Sequence, residues 1–189
     1  KQTEGIISLS PNFRFAPDNP YDQGESDVMG VDLLIRKNWE QARSWVSYSY
    51  TNVDYIFPEI NEGEAFPAFH EQPHRLQLVH QHALGDWSFS LGWQYASGLP
   101  YTRPTGLEAD DENPNEFILT YTDRNRWRLK PYHRLDLSIL YKIHSRNYAR
   151  GSGRLALSLL NLYNRDNTFS RAFYLELEDT GPETIEVER

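Results

Sequence analysis

From Trp87 to Tyr95, every odd position is large and apolar: Trp87, Phe89, Leu91, Trp93 and Tyr95. Every even position between them is Ser, Gly or Gln. Successive side chains of a β-strand point to opposite faces, so this stretch has one apolar face and one small, polar face. Residues 133–143 repeat the pattern, with Leu135, Leu137, Ile139, Tyr141 and Ile143 opposite Arg134, Asp136, Ser138 and Lys142. In 28–38, Val31, Leu33 and Ile35 oppose Asp32 and Arg36; in 43–54, Val46, Tyr48 and Tyr50 oppose Ser47 and Ser49. In 74–84, Leu76, Leu78 and Leu84 share a face with His80 and His82, and in 153–164, Leu155, Leu157 and Leu159 oppose Ala156 and Ser158. These stretches predict six long antiparallel strands, with a partial strand at Gly5–Ser10. Phe173–Leu177 and Thr184–Val187 predict a further hairpin, and no stretch reads as a long amphipathic helix.

The links between strands alternate in length. Asn38–Gln41, Leu84–Asp86 and residues 144–152 are short, whereas 55–72 and 98–130 are long. A compact soluble domain rarely carries a loop of that length without structure. An outer-membrane barrel has short turns at one rim and long loops at the other. Strands of ten or more residues also exceed the usual five or six and suffice to cross a bilayer at a tilt. A soluble β-sandwich is the competing architecture, because a polar sheet face suits solvent as well as a water-filled lumen. Strand length and the alternation of links favour the barrel. Aromatics near strand ends (Trp39 and Trp45, Tyr55 and Phe57, Trp87 and Tyr95, Tyr101, Trp127 and Tyr132, Tyr163) mark an expected interfacial girdle.

Composition narrows the reading. The chain of 189 residues has no cysteine, which excludes a disulfide scaffold or a cysteine metal site. Its 14% aromatics need somewhere to pack, which argues against disorder. Mean hydropathy is −0.70, and no apolar run is long enough for a membrane helix. That excludes helical spans only, since half of each barrel strand faces water. The net charge of −8 argues against a nucleic-acid partner. It concentrates in Asp110, Asp111, Glu112 and the stretch 176–188.

Several segments, taken in order, resemble the C-terminal barrel of TonB-dependent outer-membrane receptors of the Bacteroidota type. They are Gly30-Val-Asp-Leu-Leu-Ile-Arg-Lys37 with Trp45-Val-Ser-Tyr-Ser-Tyr50, and His74-Arg-Leu-Gln-Leu78 with Trp87–Trp93 and Ala96-Ser-Gly-Leu-Pro-Tyr-Thr102. Pro131-Tyr-His-Arg-Leu-Asp-Leu-Ser138 and Leu157-Ser-Leu-Leu-Asn-Leu-Tyr-Asn-Arg-Asp-Asn167 continue the series, so the likeness runs from about residue 28 to 178. The resemblance implies an all-β, antiparallel transmembrane barrel of about 22 strands. Residues 1–189 would be its C-terminal part, with a plug domain and the closing strand lying outside them. It implies an outer membrane of a Gram-negative bacterium, active nutrient uptake coupled to the TonB complex through the plug, and contacts with lipid and lipopolysaccharide. Two alternatives are a non-transporting barrel that anchors a surface lipoprotein and a small self-contained barrel acting as an adhesin or enzyme. With strands running down at 28–38 and up at 43–54, the short links fall on the periplasmic side and the long ones outside.

Candidate chemistry is sparse. His80 and His82 are two apart on one strand face, and His70 and His74 flank Glu71, but the first pair shares its face with leucines. The acidic run Glu108–Asn113 lacks the spacing and turn glycine of a calcium loop and reads as solvated. No nucleophile elbow or phosphate cradle occurs, so neither an enzyme, a metal nor a cofactor is expected. The most suggestive cluster is Arg124, Arg126 and Arg128, whose alternate positions place three guanidinium groups on one side of an extended chain. They read either as contacts for an anionic substrate or as partners of lipopolysaccharide phosphates or the acidic run 108–116. Tyr101, Tyr121 and Trp127 nearby offer stacking surfaces for a sugar or chelate.

Overall fold

The computed structural model describes residues 2–9, 21–109, 117–144, 151–178 and 181–188. Strand β1 spans Gln2–Leu9, β2 Tyr21–Asn38 and β3 Ala42–Ile56; a two-residue strand β4, Phe66–Pro67, folds back onto β3. Next come β5, His74–Leu84, and β6, Trp87–Ala96. After β6 the chain forms β7 (Pro100–Tyr101), β8 (Pro104–Ala109), β9 (Phe117–Tyr121) and β10 (Trp127–Arg128) before β11 (Tyr132–Ile143) and β12 (Gly153–Leu159). A separate hairpin of β13 (Arg171–Glu178) and β14 (Gly181–Glu188) ends the chain, as its alternation predicts. The main sheet is antiparallel throughout, in the order β1-β2-β3-β5-β6-β11-β12.

Register decides which side chains share a face, because a slip of one residue would move a whole strand's set across the sheet. Ile35 pairs with Val46, Val46 with Leu78, Leu78 with Trp93, and Trp93 with Leu135. One residue along, on the opposite parity, Ser47 pairs with Gln77, Gln77 with Gln94 and Gln94 with Arg134. The alternating sets of all six strands therefore coincide across the sheet, apolar with apolar and polar with polar. The apolar face is bare: Val31 is 65% exposed and Leu155 66%. A soluble sheet would cover it. In a membrane, lipid does.

The short links need little sequence. Leu84 pairs with Trp87, leaving Gly85-Asp86 as a two-residue turn. Gly85 has φ of 58° at the first central position, which a II′-type hairpin turn demands and a side chain would strain. At the neighbouring turn, Trp39 N–H donates to Ala42 O at 2.8 Å. His144 joins this rim by a 2.7 Å contact with Asp86. The third expected short link, 144–152, falls mostly on residues 145–150, outside the described residues.

Four expectations need correction. The last strand does not run to residue 164: it stops at Leu159 because Asn161 and Asn164 take left-handed φ values of 54° and 49°. The segment turns back, and Asn161 N–H is received by Asp136 Oδ1 at 2.9 Å while Asn167 brackets the backbone of His133. Strand β2 is longer than expected and begins at Tyr21. The girdle divides: Trp45, Tyr55 and Tyr132 carry the parity of the polar face, pairing with Arg36, Ser26 and Ala96, and Phe57 is buried beneath the loops. Trp87 and Tyr95 do lie on the apolar face, with Trp87 packed 4.6 Å from Tyr141 between ring centroids. Finally, 55–72 and the described parts of 98–130 carry short paired strands and turns rather than irregular chain.

Candidate functional site

The folded loops sit at the end of the sheet opposite the short turns. In the first, Phe57, Ile60 and Phe66 form a small buried cluster with Tyr55 packed against it. Residues 61–63 make one 3-10 turn, in which Asn61 and Glu62 have positive φ. In the second, the chain leaves and re-enters through a narrow neck: Tyr101 pairs with Trp127, Pro100 with Arg128, and Leu129 N–H donates to Leu99 O at 2.9 Å. Gly98 faces the buried Leu129 across this neck, at a separation no side chain fits. Above the neck, β8 and β9 pair as a second hairpin.

Four side chains clasp the two loops together. Asn61 Oδ1 accepts Arg124 N–H at 2.7 Å, and its amide donates to Arg124 O at 3.2 Å. Asn125 Nδ2 donates to Pro67 O at 2.7 Å, and its N–H donates to Thr102 Oγ1 at 3.0 Å. Glu71 is 1% exposed, and its carboxylate pairs with Arg128 and accepts Val53 N–H at 3.3 Å. Arg128 also donates to the carbonyls of Glu71 and Gly98.

The arginine cluster therefore differs from its expected geometry. Asn125 has φ of 60° and residues 124–125 form a turn, so Arg124, Arg126 and Arg128 do not point one way along an extended chain. Arg128 is the clasp, and Arg126 pairs with Asp123 at 3.0 Å. Any partner in 110–116 lies outside the described residues. Tyr101 stacks on Phe173 at 6.3 Å and lies under the Arg171 guanidinium, so it docks the terminal hairpin. Trp127 receives Arg103 over its ring at 5.7 Å, and Tyr121 is exposed on the upper hairpin.

A hollow lies elsewhere, on the polar face below the clasped loops. It has a volume of about 500 Å³, and none of the six residues singled out from the sequence lines it. Its floor is Ser47, Ser49, Gln77 and Gln94; Arg75, Lys130, Tyr132 and Phe169 stand around it. Arg75 Nη2 donates to Gln72 Oε1 at 3.0 Å, and Gln72 Nε2 donates to Ser97 O at 2.9 Å. The Arg75-x-Gln77 alternation on the polar side of β5 was the available signal. The floor residues are unremarkable singly and become a site only through register.

His80 and His82 stack at 6.1 Å on the apolar face, where His80 Nδ1 lies 2.7 Å from Ser44 Oγ. Among the described residues, no group of three or more His, Asp or Glu side chains is placed to hold a metal ion. No helix among them is long and apolar enough to cross a membrane.

Residues 2–164 match the family described as TonB dependent receptor-like, beta-barrel. The chain belongs to that family. No curated protein and no solved structure matches it. Barrels of this family lie in the outer membrane, with strand side chains alternating between the two faces of the wall. The family is one of transport receptors rather than an enzyme class.

Proposed function

We propose that this chain forms a section of barrel wall in a receptor that actively takes up a scarce nutrient across the outer membrane of a Gram-negative bacterium. The nutrient would be a siderophore, glycan, peptide or similar compound, and energy would arrive from TonB through a plug domain. The observation that carries this is the hollow of about 500 Å³ on the polar face, under two loops clasped into one unit. Lipid would cover the apolar face. Lipopolysaccharide phosphates would meet the outer rim, where Arg126 and Trp127 are exposed. Arg124, Arg126, Tyr121 and Trp127 stand above the hollow as first contacts for an arriving ligand, while Arg128 and Tyr101 hold the loops in shape.

Deleting the receptor gene should abolish growth on one limiting nutrient, and deleting TonB should reproduce the defect. Growth that survives both deletions defeats the proposal. A second reading has its own observation. Phe69 is 68% exposed on the loop side, with Tyr121 and Tyr174 also bare. Such a surface suits a lipoprotein seated on the barrel. If deletion strips a lipoprotein from the cell surface while TonB is dispensable, scaffolding is the function.

A further inference from the structure

The hollow differs in charge from the chain around it. The chain carries 27 acidic residues against 19 basic, yet among the described residues two cations and no carboxylate line this space. On the same face, Asp32 is held by the floor residue Ser49 through its Oγ–H at 2.5 Å and lies two strands from Arg75, about 10 Å away by strand spacing. Asp136 is occupied by Arg134 at 2.9 Å. Arg75 is steadied by one bond to Gln72, which leaves most of its five N–H donors for something else. Lys130 is exposed beside the neck of the second loop.

The rest of the lining has a different character. The floor of Ser47, Ser49, Gln77 and Gln94 supplies hydroxyls and amides, which both donate and accept. Hydroxyl groups of a ligand would find a partner on each. Tyr132 borders the hollow and Phe169, 76% exposed, has a free ring face. Aromatic faces of this kind pack against the C–H side of a sugar ring. A purely apolar ligand would leave the floor unsatisfied, and a neutral sugar would leave two cations without a partner.

We propose that the hollow binds an acidic oligosaccharide, with uronate carboxylates on Arg75 and Lys130, hydroxyls on the Ser and Gln floor, and sugar faces against Phe169 and Tyr132. This rests on the receptor reading above and names its substrate class. Guanidinium and carboxylate pair through parallel hydrogen bonds, so Arg75 would fix orientation while Lys130 acts as a point charge.

The test uses the full-length receptor purified in detergent, titrated calorimetrically with tetramers of galacturonate, glucuronate and mannuronate. Each acidic tetramer is compared with its methyl ester, and inorganic phosphate is the small-anion control. One acidic tetramer should bind at least about tenfold tighter than its ester, and more weakly as salt rises. Arg75→Gln and Lys130→Gln should each weaken it about tenfold or more, and Phe169→Ala should weaken acid and ester alike. Unchanged heat-modifiable gel mobility will show that each variant folds. No binding by any tetramer, equal binding of acid and ester, binding of phosphate alone, or folded Arg75→Gln and Lys130→Gln variants with full affinity each overturn the proposal. Binding in detergent needs no energised membrane. A receptor that imports through TonB without preferring acid defeats only the substrate class; acid preference without TonB dependence defeats only the transport reading.

Discussion

A methyl group at Gly98 would lie 1.8 Å from the carbonyl oxygen of Leu129, so Gly98→Ala forces the neck of the second loop apart. The obstacle is backbone and cannot rotate away, which puts the cost at or above the about 1–3 kcal/mol of ordinary overpacking. Gly92→Ala is the control, since nothing lies within 4 Å of the added carbon, and it should be neutral or slightly stabilising. Limited proteolysis of the second loop should cut Gly98→Ala readily and leave Gly92→Ala as resistant as the parent. The clasp gives a second test at this scale. Arg128→Ala leaves the Glu71 carboxylate buried without its cation, which costs about 3 kcal/mol, the low end for such a pair because Arg128 keeps a third of its exposure. Glu71→Gln retains an oxygen for Val53 N–H and should loosen the loops far less. Equal protease sensitivity of the two variants would show that the pair carries no such weight. The sequence brought Arg128 to notice for its charge and missed its partner, 57 positions away. Only the fold brings Glu71 and Arg128 together.

At the scale of the strand, alternation was nearly sufficient. Each of the six stretches forms a strand, and each apolar set falls on the same face as its neighbours'. Boundaries were less legible because Asn is compatible with both strand and left-handed turn. Tyr163 keeps the odd parity of Leu155, Leu157 and Leu159 past the true end at Leu159. The long links looked irregular because their strands are two to six residues long, too short for a period to declare itself. The face assignment has a direct consequence. Leu137 pairs with Leu91 and Leu159 within the apolar band, so Leu137→Arg should cost about 2–4 kcal/mol in a bilayer. Its neighbour Ser138 lies on the polar face, where a second hollow of about 470 Å³ leaves room, and Ser138→Arg should be tolerated. Denaturant unfolding of the receptor in vesicles measures both. A larger loss for Ser138→Arg would mean the faces are assigned the wrong way round.

For the whole molecule, the open sheet is the governing fact. Among the described residues, its two outer strands, β1 and β12, pair on one side only along the sheet path. In water, an unpaired strand edge beside a bare apolar face invites aggregation. In lipid the penalty is harsher, because no water reaches the core to satisfy the unpaired N–H and C=O groups. Neither solvent suits the described sheet as it stands; further strands, from the same polypeptide or from a second copy, would cover its edges. The two cases separate experimentally. If the strands come from the same polypeptide, residues 1–189 refolded alone should aggregate without detergent and show no heat-modifiable band with it. The full receptor should show that band as a monomer. If a second copy supplies them, residues 1–189 alone should give a heat-modifiable oligomer in detergent. A folded, soluble monomer of residues 1–189 would contradict both, and with them the lipid-facing role of Leu135, Leu137 and Ile139. The family match over residues 2–164 favours the first case, since a receptor barrel closes within one chain. The lumenal hollow and the clasped loops would then form one sector of a larger binding surface, and a ligand held by Arg75 and Lys130 would be enclosed from the other sectors as well.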